Sequence, residues 1–195
     1  ITAVFALGSV FYALSIPNQY KATTLLAPAH SDETGLSSAL GQLGGFASLG
    51  GLKLGGQKAG ESQIAQEIMK SWSFIETFIA DNDLSIEVYA VEGWSKDSDE
   101  LQINDNVYDI VSAAWLLEDD ETDTLRPPSS WELFERFQKM LSVTEDKKSG
   151  FVSVSIEYYS PQMAKEWLDR YVSAINEHMQ SRQVAKVSNN IDYLE

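Results

Sequence analysis

Residues 149–180 read SGFVSVSIEYYSPQMAKEWLDRYVSAINEHMQ, and the period of the apolar positions changes halfway along. Val152, Val154, Ile156 and Tyr158 alternate with Ser153, Ser155 and Glu157. A period of two places one set on each face of a half-buried strand. Ser160-Pro161 then ends the alternation. A serine hydroxyl can accept a hydrogen bond from an orphan N–H at a helix start, and proline fits the first helical position, where no N–H is needed. Ala164, Trp167, Leu168, Tyr171, Val172, Ile175 and Met179 follow at helical spacing. The stretch predicts a strand that feeds directly into a long amphipathic helix.

Working backwards, residues 146–150 (DKKSG) have turn composition, and Leu141, Val143 and Glu145 form a short strand before them. The two strands read as a hairpin. Ahead of it, Ser129 and Glu132 make an S-x-x-E capping box after Arg126-Pro127-Pro128. A helix over Ser130–Met140 is predicted, deeply buried through Trp131, Leu133, Phe134 and Phe137. Residues 92–123 are acidic, with clusters at Asp97, Asp99 and Glu100 and again at Glu118 to Asp123. Such a run reads as solvated surface or loop. Within it Val107, Ile110, Val111, Trp115 and Leu116 predict a short amphipathic helix. Residues 62–80 read as one helix capped by Ser62, with Ile64, Ile68, Trp72, Ile75, Phe78 and Ile79 inward. Residues 35–60 carry most of the glycines, which predicts a short helix to about Leu49 and a loop over 50–60. Residues 20–27 (YKATTLLA) read as a strand closing at Pro28.

Residues 1–16 contain no charged side chain. They fit the C-terminal part of a transmembrane helix, anchored by Phe5, Leu7, Phe11 and Leu14, and they also fit a buried core segment. A spanning helix needs about 20 apolar residues. The expected division is therefore a membrane segment over 1–16, an α+β domain over 17–160 and a long helix over 161–195. At the far end Val187, Ile191 and Leu194 are spaced widely among Gln, Lys, Ser and Asn. A stripe that narrow suits packing against another helix or a neighbouring subunit. Trp167, Tyr171, Ile175, Met179, Val187 and Ile191 are the candidate packing residues.

Composition removes several function classes. The formal net charge of the 195 residues is −15, which repels phosphate backbones, so no nucleic acid partner is expected. The chain has no cysteine, which excludes thiol catalysis and disulfides. Its two histidines, His30 and His178, form no HExxH or i, i+4 pair, so no metal is expected. Residues 51–58 (GLKLGGQK) miss the Walker A pattern, because Gln57 intervenes and no hydroxyl follows Lys58. Glycosidase chemistry requires a desolvated carboxyl, and adjacent acids solvate one another. No cofactor and no catalytic residue are expected.

The order of these features resembles the extracytoplasmic domain of Wzz-type polysaccharide chain-length determinants, the polysaccharide co-polymerases. The matching residues are Tyr20-Lys21-Ala22 after an apolar segment, Leu25-Leu26-Ala27-Pro28, residues 43–49 (LGGFASL) and residues 64–71 (IAQEIMKS) with Phe74-Ile75 and Leu84. Phe134 and Phe137, the hairpin 141–143 with 150–156, and Pro161 with Ala164 and Trp167 continue the series. The resemblance covers nearly the whole chain. It implies an α+β fold, with a small mixed sheet and helices beside the membrane and a long C-terminal helix projecting away. It implies a homo-oligomer in the bacterial inner membrane, facing the periplasm and held by flanking transmembrane helices. The implied role is non-catalytic: setting the length of O-antigen or a related lipopolysaccharide glycan, with a separate polymerase and the growing glycan as partners. The family has a second transmembrane helix and a proline-rich segment after the domain, and these are expected beyond Glu195. Residues 118–123 have no close match in the family. The alternative is the extracytoplasmic sensor of a bacterial tyrosine autokinase, in which a P-loop kinase would follow.

Overall fold

A computed structural model describes residues 2, 5, 6, 8–10, 17–27, 56–119 and 124–192, with the side chains at 56–60, 186, 187 and 189–192 excepted. The expected glycine-bearing helix and residues 50–55 of the expected loop lie outside the described residues. The sheet at the centre has three strands: β1 (Tyr20–Leu26), β8 (Leu141–Glu145) and β9 (Val152–Tyr158). Their order is β1-β9-β8 and both pairings are antiparallel, so the expected mixed sheet is corrected to an antiparallel one. The alternation that predicted β9 is met: Val152, Val154, Ile156 and Tyr158 are buried, while Ser153 and Glu157 are half-buried. Ser155 is buried as well. It has a partner there, because the Thr23 hydroxyl donates to its oxygen at 3.1 Å.

The β8–β9 turn forms as expected. The Asp146 carboxylate accepts from the Lys148 N–H at 2.9 Å and the Ser149 hydroxyl at 2.8 Å. These bonds hold its pKa below the usual carboxylate range, the Lys148 N–H contributing most. Gly150 takes a φ of 73°, where a side chain would be strained.

Within residues 56–192 five helices accompany the sheet: α1 (Gly56–Lys70), α2 (Trp72–Asp81), α3 (Ser85–Tyr89), α4 (Ser130–Met140) and α5 (Pro161–Asp192). The expected loop over 50–60 is corrected at its end, since residues 56–60 belong to α1. The single helix expected over 62–80 is two. Ser71 leaves the helical conformation (φ −73°, ψ 147°), accepts from the Phe74 N–H and donates to the Ile68 carbonyl at 2.7 Å. One hydroxyl thereby serves the end of α1 and the start of α2. The start of α5 follows the sequence reading, with the Met163 N–H bonded to the Ser160 oxygen at 3.5 Å.

The acidic stretch is not merely loop. It builds three two-stranded ribbons from β2 (Val91–Ser95) with β3 (Glu100–Ile103), β4 (Tyr108–Asp109) with β5 (Ala114–Trp115), and β6 (Leu117–Glu118) with β7 (Leu125–Arg126). The helix expected around Val107 to Leu116 is absent. Asp109 accepts from the Val111 N–H and the Ser112 hydroxyl, a local turn that competes with helical bonding. Ala113 then takes a positive φ of 51°, and Tyr108 and Trp115 pair across the strands at 4.9 Å. Val111 is left 96% exposed.

The capping box of α4 is complete, with Ser129 and Glu132 bonded reciprocally. Glu132 also takes a two-pronged bond from Arg126, at 2.7 and 3.2 Å. Chiefly through Arg126, helped by the Ser129 N–H and hydroxyl, its pKa falls to about 2. The deep burial expected for this helix holds for Phe134 and Phe137 but not for Trp131, which is half exposed.

Two predictions follow from this packing. Trp167 is buried against Phe137 and Tyr158. Trp167→Ala will cost about 3–5 kcal/mol in urea unfolding, whereas Trp131→Ala at the surface will cost about 1 kcal/mol; equal losses would contradict the assignment. The second concerns acid. The folded-state pKa of Glu132 is depressed, so its stabilisation is full above the unfolded value of 4.5 and is lost as pH falls toward about 2. Glu132→Gln will lower stability at neutral pH by about 1 kcal/mol and flatten the stability profile between those two values. A wild-type slope in the variant would contradict the pairing.

Candidate functional site

The expected functional residues lie on α5 and in the first sixteen residues. Trp167, Tyr171 and Ile175 are almost fully buried within the domain's own core. Tyr171 meets Phe74 at 5.3 Å, Phe78 at 4.8 Å and Phe137 at 5.6 Å, and its hydroxyl donates to the Met69 carbonyl. Burial pushes the Tyr171 pKa up, so the hydroxyl stays protonated and remains a donor. The three residues face inward and offer no surface to a second subunit. Met179 is half-buried at the edge of the same core. The side chains of Val187 and Ile191 are outside the described ones. From Gln180 to Ala185 every residue of α5 is exposed, Val184 by 69%. The helix leaves the core at that point, as its thinning apolar stripe predicted.

Near the N-terminus, Phe5 and Val10 are each helical, and they are 75% and 55% exposed. Leu7, Phe11 and Leu14 lie outside the described residues. Among the described residues no helix is long and apolar enough to cross a membrane. Strand β1 begins at Tyr20, whose ring meets Trp94 of the β2–β3 ribbon edge-on at 5.8 Å.

Among the described residues, the acids that raised the question of glycoside chemistry do not converge; Asp120, Glu121 and Asp123 lie outside them. Asp97, Asp99 and Glu100 are exposed at the β2–β3 turn, where Asp99 accepts from the Trp94 indole at 3.0 Å. Asp119 pairs with Arg126 at 3.6 Å. Asp109 is held below the usual range, first by the Ser112 hydroxyl, and Glu132 below it by Arg126. A general acid needs the opposite shift. Among the described residues no group of three or more His, Asp or Glu side chains is placed to hold a metal ion.

Two surface features were not anticipated. Trp72 and Trp131, both about half exposed, meet edge to face at 5.6 Å where α2 passes α4. Sequence reasoning placed both in the interior because each falls on an apolar helical stripe. The second feature is a groove of about 480 Å³ between α2 and α5. Its floor is Ile68, Phe74 and Phe78, and its walls carry Thr77, Asp81, Glu177 and His178. The His178 ring stands edge-on to Phe74 at 5.8 Å. His178 is exposed on α5. Its neighbours come from a helix about a hundred residues earlier, and no sequence pattern links them. Set beside protein-family models and curated proteins, the chain matches none.

Proposed function

We propose that this chain is the extracytoplasmic part of a non-catalytic scaffold of the bacterial inner membrane. It regulates the length of O-antigen or a related surface polysaccharide, acting as a homo-oligomer with a separate polymerase. One observation carries the reading: α5 is a 32-residue helix seated in an α+β core up to Ile175 and exposed from Gln180 to Ala185. A helix of that length rises about 48 Å, and the exposed part of it adds nothing to the core of a single domain. It serves as a projection that meets other helices.

Further support comes from the chain order. The uncharged segment 1–16 runs into β1 after only three intervening residues, so an anchor there would hold the antiparallel sheet beside the bilayer. Tyr20 and Trp94 would then lie near the headgroups, where aromatic side chains are favoured. Anchoring also raises the effective concentration of subunits, so modest helix contacts suffice for assembly. Because Trp167, Tyr171 and Ile175 are committed to the core, the subunit contact falls later on α5 than the full apolar stripe implied.

Deletion of the gene, followed by gel analysis of the surface polysaccharide, tests this function. The reading predicts that a clustered length distribution becomes a broad one, with the total amount of polymer little changed. An unchanged distribution would sink it.

A further inference from the structure

The groove between α2 and α5 combines an apolar floor with side chains that can still form hydrogen bonds. Ser73, Thr77 and Asp81 descend one face of α2, and His178 and Ser181 face them from α5. None of these five side chains makes a hydrogen bond to another among the described residues. All five are exposed, so water partners them in the free chain and a ligand would have to replace those bonds. Their convergence over an apolar floor, in a volume within the usual range for small-ligand sites, has the composition of a binding site.

The charge of the groove selects the ligand. Asp81 and Glu177 line it. The nearby Arg170 guanidinium is bonded to Glu166 and to the Asn82 side chain, so its charge is already compensated. No lysine or arginine is among the lining residues, so an anion there would meet two carboxylates. An apolar helix laid in the groove would strip water from five polar groups and leave them unpaired, at a cost of about 1–3 kcal/mol each. Asp81, Glu177 and His178 all line the groove, but among the described residues no three such side chains are placed to hold a divalent cation. A neutral ligand with many hydroxyls satisfies both the walls and the floor: its O–H groups pair with carboxylate, hydroxyl and imidazole, and its C–H face lies on the Phe74 edge.

We propose that this groove binds a short, neutral stretch of polysaccharide. The proposal rests on the scaffold reading for the source of the glycan and adds to it a direct contact with the sugar. The test is a titration of the full 195-residue chain, ¹⁵N-labelled, with short neutral oligosaccharides cut from the host cell's surface polysaccharide, and with inorganic phosphate in parallel. Saturable shifts should cluster at Ser73, Thr77, Asp81, His178 and Ser181, and phosphate should produce none. Thr77→Val and Asp81→Asn lie on exposed positions and should keep the wild-type unfolding midpoint while weakening binding about tenfold, equivalent to about 1.4 kcal/mol. Absence of saturable groove shifts would overturn the proposal, as would shifts centred on Trp72 and Trp131, preferential binding of phosphate, or unaltered affinity in the variants. The gene-deletion gel reads the scaffold function independently. Altered polymer length with no groove shifts overturns the groove alone, and groove shifts with unaltered length overturn the scaffold reading alone.

Discussion

Tyr171 is the contact on which the rest of the domain depends. Its ring touches Phe74 and Phe78 of α2 and Phe137 of α4, and its hydroxyl reaches the Met69 carbonyl of α1. One turn earlier, Trp167 touches Phe137 and Tyr158, which brings in β9. Tyr158 in turn donates to the Glu87 carbonyl of α3 at 2.9 Å. Two adjacent turns of α5 therefore join four helices and the sheet through aromatic packing. Each phenol is buried but bonded, so neither carries the cost of an unpaired polar group. Burial that raises both phenol pKa values also keeps them as donors.

This arrangement divides α5 into two parts with different physics. Up to Ile175 its sequence answers to the core. From Gln180 to Ala185 it answers to solvent, and the ion pairs Lys165 with Asp169 and Arg170 with Glu166 decorate the outer face of the inner part. Helices α2 and α5 run antiparallel, with Arg170 of α5 against Asn82 at the end of α2 and His178 against Phe74 near its start. The groove lies between them along Ala174 to Ser181, beside the point where α5 leaves the core.

Much of the architecture was legible because it depends on local patterns. Alternation in residues 152–158, the Ser160-Pro161 break, the Ser129–Glu132 capping box and the Asp146–Gly150 turn each write their structure into neighbouring residues. What escaped was decided by competition or by distance. Ser71 splits a helix with one hydroxyl, without the N3 acid that makes a capping box visible. Asp109 diverts an apolar stripe at helical spacing into a tight ribbon through two side-chain bonds. Gln66 is buried because its amide reaches Glu145 of β8 at 2.9 Å, a partner 79 residues away. The exposed Trp72–Trp131 pair and the groove are products of tertiary placement, and no window along the chain contains them.

The central claim is that α5 is a core helix up to Ile175 and leaves the core from Gln180. Native-state amide hydrogen exchange along 161–192 measures this directly. The account predicts protection at the level of global unfolding through Ala164 to Ile175, falling steeply between Met179 and Arg182 in the unassembled chain. Uniform protection along the whole helix, or a first loss of protection before Ile175, would contradict it.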